Sequence, residues 1–485
     1  MPRSSTSPPV ELLVRLDQAA ATPLHHQLER QLRDGVRSGR LRPGSALPST
    51  RALAGELGLS RGVVVEAYEQ LVAEGYLASR QGGATRVAEG ATPATEVEAR
   101  PIAPSLDVDF KYGRPDVSQF PRSTWLRSLR RVLADAPSER FSYLDGRGAP
   151  ELRDALAAYL GRVRGVCAEA DRIIVCSGFG QGIALLCGVL KAAGARSVAV
   201  EDPSEDCAAA AIRRSGLELI GIPVDDQGLR VDLLERTSAD AVLVTAAHQF
   251  PTGAVLPADR RAALVAWATR RGALIVEDDY DAEFRYDREP IGAIQGLAPD
   301  RVVYAGSASK TLAPGLRLGW LQVPAALAGS VAAAKEALDR GSPVLDQLAF
   351  ADFLDRGEFD RHLRRMRPIY RRRRDALLGA LARHAPELRP VGASAGLHVL
   401  AWLPPGIEES SVVGAAAALG VGVYGLAPYR IAAVDGPQGL LFGYAGLNET
   451  SIEAGIRLLA TALDAAREGR SQDRATARSN KAGVP

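Results

Sequence analysis

The chain is short of lysine. Of its 59 basic residues, five are lysines: Lys111, Lys191, Lys310, Lys335 and Lys481. Arginine carries the rest of the positive charge, and a guanidinium neither deprotonates nor forms an imine in a protein. Cysteine is also scarce. Cys167, Cys176, Cys187 and Cys207 show no metal-ligand spacing and read as reduced thiols of a cytoplasmic protein. No apolar run approaches the roughly 18 residues that would suggest a membrane helix. The opening residues, MPRSSTSPPVELL, lack the apolar core of a signal peptide, so export is not expected. The net charge is only +2, with 59 basic and 57 acidic residues. The excess falls in residues 1–88, where 11 Arg face 8 acids. That sign suits a nucleic-acid-binding module, but charge alone does not establish one. With 485 residues, more than one domain is expected.

Lys310 lies in the stretch GSASKTLAPGLRLGW (306–320), behind the apolar run Val302, Val303, Tyr304. By spacing alone, a surface lysine in a loop and an amine kept for chemistry are equal readings. The neighbours favour chemistry. Residues 273–276 read as a buried strand that runs into Glu277, Asp278, Asp279 and Tyr280. The carboxyl end of such a strand is where α/β sheets bind ligands. Further upstream, Ile173, Ile174 and Val175 lead into CSGFGQG (176–182) and an apolar helix from Ile183. A strand, a glycine-rich turn and a helix start can cradle a phosphate on free N–H groups. A lysine, an acid and a phosphate cradle together are what pyridoxal phosphate (PLP) requires.

On these motifs, residues 107–465 resemble a fold-type I aminotransferase domain. The order YLDGRG, SGFGQG, EDP, HQFPTG, EDDYDAEF, SASK matches that superfamily. The resemblance implies that Lys310 binds PLP covalently and that Asp278 pairs with its pyridinium nitrogen. Phe179, Gly180, Ser307 and Arg317 would hold the phosphate, with Tyr280 beside the cofactor. Tyr143 would reach the phosphate of a second subunit. Two departures stand out. Ser204, Glu205, Asp206 and Cys207 occupy the place where the family often has a ring-stacking aromatic residue. Phe250 stands where aminotransferases have Asn before Pro-Thr-Gly, leaving His248 or Gln249 as substitutes. The late strand over 440–445 lacks the arginine that grips a substrate carboxylate, and Arg430 is the candidate replacement.

Residues 23–88 read as three helices and a hairpin. Leu24, Leu28, Leu32 and Val36 recur on one helical face. Ser49 is placed to cap a second helix, Gly58 to turn, and Ser60 to cap a third. The text GRLRPGSALPSTRALAGELGLSRGVVVEAYEQLVAEGYLASRQGG resembles the GntR winged helix-turn-helix family. That resemblance implies DNA contacts from Arg51, Ser60 and Arg61, and from a wing at Arg80, Gly82 and Gly83. Arg61 would enter the major groove. Gly62 stands where the family often has Thr.

The expected fold is multidomain. Residues 1–88 form an α+β winged helix-turn-helix and 89–106 a linker. Residues 107–465 form the α/β PLP domain with a smaller C-terminal α+β subdomain, and 466–485 a disordered tail. The four arginines 371–374 read as a solvated helix face. The whole resembles the MocR/GabR-type regulators. The expected function is a bacterial, cytoplasmic, PLP-dependent transcriptional regulator, nucleoid-associated when bound to DNA. It would bind a double-stranded operator and respond to PLP or a small amine or amino-acid effector. It would act as a domain-swapped homodimer, with no metal and no membrane. The alternatives are an active aminotransferase with an appended DNA-binding domain, and a direct PLP sensor controlling vitamin B6 metabolism. Turnover stays open, with regulation expected.

Overall fold

The computed structural model describes residues 12, 14–79, 83–90, 106–286, 291–432 and 436–482, with side chains to Arg467. The expected wing residues Arg80 and Gly82 and most of the expected linker lie outside the described residues. The chain divides into two compact units, Met1–Ala103 and Pro104–Pro485.

The first unit has helices Leu24–Arg37, Thr50–Leu57 and Arg61–Ala73, then the antiparallel strands Leu77–Ala78 and Arg86–Val87. Leu28, Leu32 and Val36 pack on Leu53, Val64, Tyr68 and Leu71 in one small core. The Ser49 hydroxyl accepts the Ala52 N–H at 3.2 Å and caps the second helix. Gly58, at φ 65°, makes the left-handed turn into the third, a conformation a Cβ would disfavour. Ser60 occupies the N-cap of that third helix but makes no side-chain cap bond. Its hydroxyl is therefore not committed to the helix, unlike the role expected of it.

The second unit is built on an eight-stranded sheet. Its order is Ile173–Cys176, Gly319–Gln322, Val302–Ser307, Leu274–Asp278, Ala241–Val244, Ser197–Asp202, Glu218–Asp225 and Gly228–Leu229. Gly319–Gln322 runs antiparallel to both neighbours, and the central strands are parallel. Those strands are apolar almost throughout because helices cover both faces. A second, antiparallel sheet joins Arg389–Val391, His398–Trp402, Gly439–Gly443 and Tyr424–Gly425. Val399 and Phe442 of that sheet share a core with Val412, Ile452 and Leu459.

Two readings of the sequence change here. Arg371 and Arg372 are exposed, but Arg374 is buried and Arg373 nearly so. Arg373 pairs with Asp116 at 2.8 Å, and Arg374 donates to the Ala393 carbonyl at 2.9 Å while lying over the Tyr286 ring. Four consecutive residues cover every side of a helix, so a run of arginine cannot all face water. The last helix, Glu449–Ala482, continues through most of the segment read as a disordered tail. Its Arg, Ala, Glu and Gln are strong helix formers, which the polar composition concealed.

Candidate functional site

A cavity of about 290 Å³ opens where the parallel strands end. Its lining includes Phe179, Gly180, Asp278, Tyr280, Ser307, Lys310 and Arg317. The tertiary structure thus gathers residues that span 139 sequence positions. The helix Phe179–Ala192 begins at the cavity wall, following Gly178 at φ 81°. Its first-turn N–H groups have no helical acceptors, and its dipole favours an anion there. Arg317 sits opposite, in a left-handed conformation at φ 53° that is uncommon outside glycine. Its Nη2 donates to the Ser177 carbonyl at 2.5 Å. A Cβ at Gly178 would come within 2.6 Å of that Nη2 and displace the guanidinium, and the positive φ there favours glycine in any case.

Lys310 donates from Nζ to the Gly113 carbonyl at 2.8 Å. Burial lowers its pKa, although Asp281, Asp278 and Glu205 pull the other way. The shift favours the neutral amine, which is the nucleophilic form. The strand Leu274–Asp278 and the turn after it place acids on alternate sides. Glu277 accepts the N–H groups of Ile294 and Gln295 at 2.9 and 3.1 Å. Asp279 is bound to Arg164 and to the Tyr304 hydroxyl, each at 2.7 Å. Asp278 faces the cavity, and among the described residues its carboxylate has no hydrogen-bond partner. Burial, with Glu205 and Asp279 adding repulsion, pushes its pKa well above the carboxylate range. Such an acid calls for a cationic partner from outside the chain.

His248 stands one layer behind the cavity. Its Nδ1 lies 3.0 Å from both the Tyr280 hydroxyl and Asp281, and its Nε2 lies 3.2 Å from the Gly392 carbonyl. Burial disfavours its charged form, but Asp281 and the Gly392 carbonyl outweigh that and raise its pKa. Gln249 is turned away from the cavity and bonded to Glu201, the Pro203 and Phe250 carbonyls, and Thr252. Glu205 lines the cavity, caps the helix Asp206–Arg214 through Ala208 N–H, and is pushed up to about 7 by burial and by Asp206. Phe250 and Cys207 line it too.

Two candidate residues lie elsewhere. Arg430 lines a separate cavity and donates to the Pro437 carbonyl at 2.6 Å. Tyr143 is 81% exposed and does not line the cavity of its own chain. Among the lining residues, sequence reasoning missed Tyr112, Gly113, Leu397 and His398, and gave Asp281 no role. The available signal for His398 was a polar residue inside the apolar run AGLHVLAW. It donates to or accepts from no described side chain. Its Nε2 lies 3.2 Å from the Pro251 carbonyl, and burial pulls its pKa down to about 3. It is therefore a neutral donor to that carbonyl.

The family model for aminotransferase class I and II matches residues 108–416, and that for bacterial regulatory proteins of the gntR family matches 24–87. The chain is 33% identical over 473 residues to the probable rhizopine catabolism regulatory protein MocR of Rhizobium meliloti. That match covers 92% of this chain and 95% of the other. The chain belongs to the MocR-type GntR regulators. It is also 34% identical over 451 residues to the pyridoxine biosynthesis regulator PdxR of Corynebacterium glutamicum, covering 91% and 96% of the two chains. Among solved structures, it resembles the multiple substrate aminotransferase of Thermococcus profundus at TM-score 0.69 and 27% identity, covering 75% and 92%. It also resembles LysN of Thermus thermophilus, an α-aminoadipate aminotransferase complexed with a phosphopyridoxyl-leucine, at 0.68 and 26%, covering 74% and 93%. The protein is thus a helix-turn-helix transcriptional regulator with a DNA-binding GntR module and an aminotransferase-fold domain. No described helix is long and apolar enough to cross a membrane.

The two neighbouring aspartates should respond oppositely to substitution. Asp279→Ala leaves Arg164 buried without its counter-charge and should cost about 3–5 kcal/mol. Asp278 has a raised pKa in the fold, so its ionisation penalises the folded state as pH rises above the unfolded value, near about 4. Asp278→Asn should therefore stabilise the cofactor-free protein at neutral pH, with the gain vanishing below about pH 4. Urea denaturation at both pH values checks the pair. Equal losses from both substitutions would contradict the assignment.

Proposed function

We propose that this regulator binds PLP in the cavity around Lys310 and couples its occupancy, by PLP alone or by PLP with an amine or amino-acid effector, to operator binding. The observation that carries the reading is Asp278, a buried acid without a partner in the same cavity as the half-buried Lys310, while Asp279 is committed to Arg164 and Tyr304. The cavity suits the cofactor. Asp278 would pair with its pyridinium nitrogen, and the start of the helix Phe179–Ala192, Ser307 and Arg317 would hold its phosphate. Tyr280, a buried phenol whose pKa lies well above 10, stays protonated as a donor to the ring substituents. His248 would act through Tyr280 and not by touching the ring. When bound, PLP supplies an electrophilic carbon that can link to Lys310 or exchange onto an effector amine.

Regulation requires that the ligand bind two arrangements of the protein with different affinity. Among the described lining residues, Lys310 and Arg317 are the cations, and the candidate carboxylate-binding Arg430 lines a different cavity. This favours sensing over amino-acid turnover. On DNA, the reading assigns Arg61 to base edges and Arg51, Ser60 and the wing to the backbone. Tyr143, exposed in the single chain, would complete a partner's site, which makes the protein a homodimer.

Purified protein reconstituted with PLP should absorb in the visible, and borohydride should fix the cofactor on the Lys310 peptide. An unchanged visible band in Lys310→Ala would sink the assignment. Arg61→Ala should weaken operator binding by roughly 1–3 kcal/mol with PLP content unchanged. Gel-shift titration and cofactor quantitation of the same preparation measure both, and loss of both together would refute separate sites. Removal of residues 1–104 should leave a PLP-binding dimer that no longer binds DNA. A monomer with full PLP occupancy in the ultracentrifuge would rule out a site completed by Tyr143.

A further inference from the structure

Lys335 is a lysine the site does not use, yet it is 1% exposed. It lies on the helix Ala325–Asp339. Its Nζ donates to both oxygens of Asp339, at 3.0 and 2.7 Å, and to the Ser342 hydroxyl at 2.9 Å. All three ammonium protons are therefore used. Asp339 in turn accepts the Gly341 N–H at 2.9 Å and the Gln181 side-chain amide at 2.8 Å. The other end of the Gln181 amide accepts the Ser177 N–H at 2.7 Å. The Ser177 carbonyl receives Arg317. The links run from 2.5 to 3.0 Å, and the chain ends on the cation that faces the helix start.

We infer that Lys335 and Asp339, acting through Gln181 and Ser177, are positioning residues that set the orientation of Arg317 and the Ser177–Gly178 turn for a phosphate. The inference rests on the proposed PLP site. The energetic argument concerns Asp339. Burial works against its charge, but Lys335, the Gly341 N–H and Gln181 together hold its carboxyl below the usual range. A charged acceptor fixes the Gln181 amide with its nitrogen toward Asp339, so its oxygen must face Ser177 N–H. The Cys176–Ser177 peptide is then fixed; its Cys176 carbonyl accepts the Gly178 N–H at 2.8 Å, which holds the next peptide, whose Ser177 carbonyl points at Arg317. Without Lys335, Asp339 loses its counter-charge and the amide loses its reason for one orientation. The substitution lies away from the cavity lining and touches neither Lys310 nor Asp278. It also explains why a lysine persists here in an arginine-rich chain. A compact ammonium reaches three acceptors around one point, whereas a guanidinium presents its donors in a planar fork.

The test compares PLP with pyridoxal, which lacks only the phosphate. Affinities of the full-length protein for each are measured by absorbance titration for wild type, Lys335→Met and Gln181→Met. Both variants break the same chain at different links, so misfolding of one leaves the other to decide. The expected result is a loss of about tenfold or more in PLP affinity, with pyridoxal affinity unchanged. Inorganic phosphate should also compete less well with PLP in the variants. An unchanged PLP-to-pyridoxal ratio overturns the inference, as does an equal loss for both ligands, which would mark a merely structural role. Wild type that binds PLP no better than pyridoxal would instead defeat the proposed phosphate cradle itself.

Discussion

The large domain is organised around the burial of acid. Five carboxylates fall within seven residues, Glu277, Asp278, Asp279, Asp281 and Glu283, and all are buried. Isolated charges at such depth are prohibitive, so each must be neutralised or paired. Glu277 takes two backbone N–H groups and is still pushed up to about 7 by burial. Asp279 takes Arg164 and Tyr304. Asp281 takes His248. Glu283, beside the Tyr159 hydroxyl, is also pushed up to about 7 by burial. Asp278 and Asp281 both line the cavity, and of the five acids Asp278 alone has no hydrogen-bond or ion-pair partner among the described residues. Four of the five acids are thus satisfied locally, and Asp278 is the one that is not.

The same economy appears on the other wall of the cavity. Arg317 is held on the Ser177 carbonyl, and Gly178 is the residue that lets it approach. Gly113 plays the equivalent part for Lys310, since a Cβ there would stand 2.9 Å from Nζ. Both cations are therefore positioned by backbone carbonyls at glycine-containing turns. Such contacts orient a charge without neutralising it, which leaves it available to a ligand. The acids are arranged in the opposite way, with all but one neutralised within the protein.

Within the cavity, the domain departs from the aminotransferase pattern it resembles in chemistry and not in architecture. Glu205 lines the cavity in the sequence region where an aromatic residue is usual, and Phe250 replaces an amide. His398 brings a neutral imidazole from the second sheet. These exchanges leave the sheet, the helix start and the lysine turn in place. Fold and reaction can separate in this way because function resides in the site. The same chain carries a GntR module.

Much of this was legible in the sequence because the decisive segments are local. A strand followed by GFGQG and an apolar helix contains its own geometry, as does Ser49 before its helix, and SASK fixes a lysine in a tight turn. The choice between Asp278 and Asp279 was made there by family resemblance, and only packing explains it, since it depends on where Arg164 and Tyr304 arrive from. The inward turn of Arg373 and Arg374 depends on Asp116 and Ala393, far away in the chain. Tyr112 and Gly113 carry no local signal of a ligand site because they join the cavity from a segment with ordinary neighbours, and His398 carries only that of a polar residue in an apolar run. The sequence by itself determined the elements, their order and the lysine, since periodicity, caps and turns act over a few residues. The tertiary structure decided which acid in the cavity has no partner among the described residues and which cations are satisfied, because pairing and desolvation depend on groups brought together from distant segments.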